Sequence, residues 1–123
     1  MRESFVRKAG SIGQDNLIAK PFPRAIPFGV KVAAGQGQLK RGAVLVLGED
    51  GSYTVLTEAT TGKANCVLAD DVDASGEAAV TAVAYRTGHL NIKALIVAEG
   101  YTLTQADKEE LRKGGILLSE MMD

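Results

Sequence analysis

The sequence predicts a mainly β protein with little helix: a single compact domain behind an extended N-terminal arm, with one short helix near the C-terminus. Three observations carry this. Short apolar runs and period-two alternations recur from Phe28 to Val97, and the longest runs, 43–47 and 94–98, have five residues each. The 14 glycines break the chain at close intervals, as many turns require. Helix-terminus chemistry is confined to one late stretch, 104–115.

The elements follow in order. Residues 1–27 form the arm and 28–123 the β domain. In the arm, Pro21, Pro23 and Pro27 fall close together behind Gly10 and Gly13. Proline cannot donate to a sheet ladder and pushes the preceding residue into extended geometry. No strand or helix period runs through this stretch. Its short apolar segment Leu17-Ile18-Ala19 has the character of an anchor that needs something to bind. From Phe28 the pattern changes. Val30 and Val32 alternate with Lys31 up to the break at Gly35-Gln36-Gly37. The continuous run 43–47 predicts a strand buried on both faces, ended by the turn chemistry of Gly48-Glu49-Asp50-Gly51. Residues 53–57 are β-rich, Thr61-Gly62-Lys63 is a turn, and 66–69 is a short buried strand. An acidic loop is expected over 70–76, a strand over 80–85, a turn at Thr87-Gly88, and a further extended stretch over 89–97.

The one helix starts at Thr104, an N-cap with Asp107 placed three residues on to reach back as a near capping box. Acidic Asp107, Glu109 and Glu110 lie toward the positive end and Arg112 and Lys113 toward the negative end. Gly114-Gly115 stops it. Its apolar positions are chiefly Ala106 and Leu111, so the domain holds the helix rather than the helix forming the core. Ile116-Leu117-Leu118 then packs back as a last extended piece.

Composition narrows the function. Hydrophobic residues make up 46% of the chain, which excludes a disordered polypeptide, but aromatics are only 5% and Trp is absent, so the core is built from Ala, Val and Leu. The net charge of −1 gives no basic footprint for nucleic acid. That charge is uneven: residues 1–28 carry +3 (five basic, two acidic) and the rest −4 (nine basic, thirteen acidic). No apolar run approaches the length of a membrane span. No apolar leader opens the sequence, so synthesis and folding are expected in a reducing cytoplasm. The lone Cys66 excludes an intrachain disulfide and a cysteine-built zinc site, and reads as a small buried hydrophobe.

Nothing reads as an active site. The loop from Asp71 to Gly76 opens like a calcium loop, but the twelfth position, where a bidentate Glu must close the shell, is Ala82. A solvated turn is the expectation. Gly35-Gln36-Gly37 lacks its third glycine, which would fall at Lys40, and Thr61-Gly62-Lys63 lacks the earlier glycine of a phosphate loop. His89, the only histidine, is read as a plain strand or surface residue; a triad would need Ser or Cys66 beside it and an acid to orient it. None of the five serines (Ser4, Ser11, Ser52, Ser75, Ser119) lies in a catalytic signature. The chain is therefore expected to be no enzyme, with no cofactor and no metal.

Three stretches, taken in order, resemble the lambda-type bacteriophage head decoration family. The first is Asp15-Asn16-Leu17-Ile18-Ala19 followed by Gly35-Gln36-Gly37-Gln38-Leu39-Lys40-Arg41-Gly42-Ala43-Val44-Leu45. The second runs from Cys66-Val67-Leu68-Ala69 through Asp70 to Gly76, and the third is Val83-Ala84-Tyr85-Arg86-Thr87-Gly88-His89-Leu90-Asn91 with the helix and Gly114-Gly115-Ile116 behind it. The chain departs from the family pattern where Val46-Leu47 precede Gly48, which leaves the length of that strand and the following hairpin open. The resemblance implies a β-clip-like domain. It implies a structural virion protein made in the bacterial host and seated on the capsid surface as homotrimers at threefold positions, stabilising the expanded shell against DNA pressure. It implies the major capsid protein as partner, with no direct nucleic-acid or membrane contact. The N-terminal arm, with Asp15, Asn16, Leu17, Ile18 and Ala19, is expected to bind the capsid by adding to an exposed strand edge. Two alternatives remain: another phage adaptor of tail or baseplate, and a small ligand-binding β domain.

Overall fold

A computed structural model describes residues 17–98 and 100–119. Among the described residues there are nine strands: β1 Ile18–Lys20, β2 Ile26–Val32, β3 Gly37–Leu39, β4 Val44–Leu47, β5 Tyr53–Val55, β6 Ala64–Leu68, β7 Val72–Ala74, β8 Val80–Asn91 and β9 Ile116–Ser119. Helix α1 spans Gln105–Gly114, and two single 3₁₀ turns cover Glu58–Thr60 and Ile92–Ala94. The chain is mainly β, as its sequence predicts.

Five strands close a ring. β8 pairs with β2, β2 with β5, β5 with β4, β4 with β6, and β6 returns to β8. The closure between β2 and β5 is narrow: the pair Val32–Tyr53, with Ala33 N–H donating to the Tyr53 carbonyl at 2.9 Å. Closure matters because an open edge would be free to pair with other chains. β3 and β7 form a separate antiparallel ribbon.

Two cores result, and β4 and β6 serve both. Because side chains alternate along a strand, Ala43 and Leu45 join the inner cluster with Val30, Val32, Cys66, Leu68, Ala82 and Ala84. Val44, Val46 and Val67 face the other way, into a cluster with Leu17, Leu56, Leu90, Leu111 and Ile116. The run 43–47 is thus buried on both faces up to Val46, and Leu47 emerges just before the turn. That turn then returns through β5, which pairs antiparallel with β4.

Several expectations need correction. Thr87-Gly88 is not a turn: β8 runs unbroken for twelve residues, and its last four form a second small sheet with β9 on one side and β1 on the other. The acidic loop contains a strand, β7, because its backbone pairs with Gly37–Leu39. Residues 89–97 are not one extended piece, since a 3₁₀ turn interrupts them at Ile92–Ala94. On α1, Ala106 is exposed and Asp107 is buried, because the helix sits on β6 and β9 through Leu111 and pins itself there by a carboxylate. Finally, the apolar segment at 17–19 does not lack a partner of its own: Leu17 is 3% exposed inside the outer core, and Ile18 and Lys20 pair with Leu90 and His89.

Two glycines are required by their surroundings. Gly42 has φ +105°, and a Cβ there would stand 2.6 Å from the Ala94 carbonyl oxygen. Gly115 caps α1 in the left-handed region at φ +108°, where a Cβ would meet the Thr87 methyl at 2.9 Å.

Candidate functional site

The candidate site is the segment leading into the domain and its seat on the end of β8. Asp15 and Asn16 lie outside the described residues. Leu17 is fixed twice: its side chain is buried, and its carbonyl accepts from the Asn91 N–H at 2.6 Å. Ile18 is 38% exposed and Ala19 half-buried. Past β1 the chain stays attached, since the Thr87 hydroxyl donates to the Arg24 carbonyl at 2.7 Å and Ile26 and Pro27 pair with Thr87 and Tyr85. Phe22 is the most exposed large apolar side chain among the described residues, at 79%.

His89 joins the two flanking strands. Its Nδ1 lies 3.2 Å from the Phe22 carbonyl and its Nε2 lies 2.9 Å from the Ser119 hydroxyl. With Nδ1 protonated, the ring donates to the carbonyl and accepts from the serine. A Ser–His pair alone does not make a nucleophile. The group opposite Nδ1 is a neutral carbonyl, not the carboxylate that would stabilise an imidazolium. The pair is a stitch from the leading segment across β8 to β9, completed by Gly88 N–H donating to the Gly115 carbonyl at 3.2 Å.

The other chemical groups are likewise engaged in the fold. Asp107 is 0% exposed. Gly62 N–H donates to it at 2.6 Å, Thr104 donates through its N–H at 3.0 Å and its hydroxyl at 2.9 Å, and the Tyr101 hydroxyl donates to the same carboxylate. Burial pushes this carboxyl up, but the donors outweigh it and hold it below the usual carboxylate range. Sequence reasoning found the Thr104–Asp107 cap but missed Gly62 and Tyr101, since nothing local links Gly62 to residue 107. Arg41 donates to the Ala69 carbonyl and the Tyr85 hydroxyl, both at 2.8 Å. In the acidic stretch, Asp71 accepts from Arg41 N–H at 2.8 Å, and Asp73 accepts from the Ser75 N–H and hydroxyl. The Asp73–Ser75 bonds close the turn that leaves β7, and the Asp71 bond ties the start of that strand to Arg41. Among the described residues no group of three or more His, Cys, Asp or Glu is placed to hold a metal ion. Cys66 is 1% exposed, and burial pushes its thiol up to about 12. No described helix is long and apolar enough to cross a membrane.

Comparison with known proteins supplies what the geometry alone does not. No curated protein matches the chain. The family model for bacteriophage lambda head decoration protein D matches residues 28–116, from the middle of β2 to the first residue of β9. Every strand of the ring lies within the match, complete except for the first two residues of β2, as does α1 with its cap. Residues 1–27, which hold the candidate segment, lie before it. With the match spanning most of its length, the chain belongs to the bacteriophage lambda head decoration protein D family and is a structural protein of the phage head.

Proposed function

We propose that this protein binds the outer surface of the expanded phage capsid as trimers at threefold positions and stabilises the shell against the pressure of packaged DNA. The family match over 28–116 is the observation that carries this reading. The physical design agrees with it. A reinforcing subunit needs a rigid body and many lattice contacts, and the closed ring, the twofold-used strands β4 and β6 and the engaged polar groups supply rigidity. It needs no turnover chemistry, and the Ser119–His89 pair is tied to a backbone carbonyl.

The partner in this reading is the major capsid protein, reached by the leading segment that ends in Asp15-Asn16-Leu17-Ile18-Ala19. Leu17 roots the segment in the domain, so that whatever pulls on the arm pulls on the outer core. The residues before it add to an extended edge of the capsid protein. Three arms on one trimer multiply a weak contact through effective concentration. The protein is made in the bacterial host cytoplasm and acts on the virion surface, without direct contact to nucleic acid or membrane.

The test is co-sedimentation with expanded empty shells of the cognate capsid protein, using the full chain and a form lacking residues 1–16. The truncation stops short of Leu17 because that side chain belongs to the core. Saturable binding that is lost or strongly weakened in the truncated form, with an unchanged melting temperature, is expected. Equal binding by both forms would overturn the arm mechanism. No binding of the full chain up to about 10 μM, far above the affinity of a specific interface, would overturn capsid decoration.

A further inference from the structure

One cavity is lined by polar groups that the fold leaves unused. It follows from alternation along the strands of the ring. On β8, Ala82 and Ala84 face the inner core, and the next residue on that face is Arg86. On β2, Val32 and Val30 give way in the same manner to Phe28, and on β6 Leu68 gives way to Cys66. Tyr53 of β5 packs against the same cluster. Phe28, Tyr53, Cys66 and Arg86, joined by Asn65 and Gly114, line a cavity of about 250 Å³. Cys66, 1% exposed, is its floor, and Arg86 and Asn65 are exposed at its rim.

The charge in this cavity is held in place but not paired. The Arg86 Cζ stands 4.7 Å from the centroid of the Phe28 ring, within the range of a cation–π contact. Tyr53 braces that ring edge-on, with the centroids 6.4 Å apart and the planes at 78°. A guanidinium keeps its N–H donors in a rigid fork. Among the described residues no carboxylate pairs with Arg86 and no oxygen accepts from its fork. The Tyr53 hydroxyl and the Asn65 side-chain amide likewise make no hydrogen bond among those residues. Burial, and then the neighbouring Cys66 thiol, push the Tyr53 hydroxyl up, against a smaller pull from Arg86, so it stays a neutral donor. No acidic residue lines the cavity. Gly114 brings the partial negative charge of the end of α1, but a full cation outweighs it.

We infer that this cavity is a carboxylate site: the fork of Arg86 takes both oxygens side by side, and Tyr53 and Asn65 donate to their remaining lone pairs. The class of ligand follows from charge and shape. A planar carboxylate matches a guanidinium edge in two parallel bonds. One cation beside two neutral donors balances one negative charge, whereas a phosphate dianion would keep a charge uncompensated and an uncharged ligand would leave Arg86 unpaired. Two sources present this chemistry, an Asp or Glu side chain of a partner protein and a free small acid. The site is independent of the capsid reading, because it is tested on the free protein.

The test is an NMR titration of the labelled full chain with N-acetylglutamic acid α-amide. The neutral N-acetylglutamine α-amide and inorganic phosphate serve as comparisons. Saturable shifts are expected at the Arg86 Nε–H, the Asn65 amide and Gly114, with a Kd of about 1–10 mM for so small a ligand. Arg86→Gln should abolish them. Arg86→Lys keeps the charge without the fork and should weaken binding about tenfold. Tyr53→Phe keeps the ring and should weaken it about threefold. Arg86 is exposed, so folding should survive, and melting curves check this. No shift up to about 100 mM would overturn the inference. So would equal shifts with the glutamine compound, shifts spread evenly over exposed Lys and Arg side chains, tighter binding of phosphate at the same residues, or binding that survives Arg86→Gln.

Shells separate the two sources. Weaker binding of Arg86→Gln than of the parent chain to expanded shells would assign the carboxylate to an acidic side chain of the shell. Unchanged shell binding, with the titration lost in the same variant, would assign it to a free acid. A parent chain that ignores shells yet titrates as expected would sink capsid decoration and leave this site standing.

Discussion

The two cores are built on opposite principles. The inner one is apolar and assembled from strands, and its members recur every second residue: Val30 and Val32, Cys66 and Leu68, Ala82 and Ala84. Its side chains are small, as a narrow ring demands. The outer one is assembled from pieces far apart in sequence, namely Leu17, the faces of β4 and β6, Leu90, Leu111 and Ile116. It borders Asn91 and Asp107, the two buried polar residues among those described, which hold a turn, a helix start and the leading segment in place through hydrogen bonds. The inner core makes the domain rigid. The outer core fastens to it the elements that carry the chain's two ends. If the leading segment holds the protein to the shell, as proposed, the second task decides whether load reaches the body.

The largest expected effect strikes the outer core. Asp107→Ala removes one acceptor and leaves Gly62 N–H, Tyr101 O–H and the Thr104 donors without it. Each buried orphan is costly, and the loss should be about 4 kcal/mol. If the cores are separable, amide exchange should accelerate first at α1, β9 and β1 while Val30, Leu45 and Leu68 stay protected. Uniform acceleration would show one cooperative unit and break the comparison. The charge gives a second readout. Because Asp107 is held below the usual carboxylate range when folded, its contribution is fully present above the unfolded value of about 3.9. It is lost as pH falls through the lower folded value. An acid titration of stability should therefore be shallower in Asp107→Asn than in the parent chain.

A somewhat smaller effect is expected from Leu45→Ala in the inner core, about 3 kcal/mol from lost transfer energy and the cavity left in a tight ring. Here exchange should rise everywhere, because β4 carries both clusters. Protection kept at α1 and β9 would mean that the outer core stands alone.

The inner core was largely legible in the sequence, for a physical reason: period two is local, and each strand shows it within five or six residues. The run 43–47 announced a strand with two buried faces, and the cap at Thr104 announced α1 with Gly115 as its stop. The outer core was not legible. Pairing of β1 with β8 joins residues some seventy positions apart, and three prolines made the leading segment look as if it had no partner in its own domain. The missed strand at Val72–Ala74 has the same cause, since its backbone pairs with Gly37–Leu39 and its own residues are those of a loop. In the candidate segment the apolar character of Leu17-Ile18-Ala19 was visible, but not that Leu17 faces the domain's own core while Ile18 remains at the surface.

The smallest effect sharpens the contrast most finely, because it separates the helix cap from the carboxylate beneath it. The Thr104 hydroxyl accepts from the Asp107 N–H at 3.2 Å and donates to the Asp107 carboxylate at 2.9 Å, so one group serves both the helix start and the buried charge. Thr104→Ala removes both bonds but keeps the Thr104 N–H, the Gly62 N–H and the Tyr101 hydroxyl on the carboxylate. The cost should be that of a lost N-cap, about 1 kcal/mol. Thr104→Ser keeps the hydroxyl and should restore most of it in the same thermal or denaturant melt. If Thr104→Ala instead costs as much as Asp107→Ala, the hydroxyl is what keeps the carboxylate aligned. The outer core would then hang on the helix cap rather than on the charge.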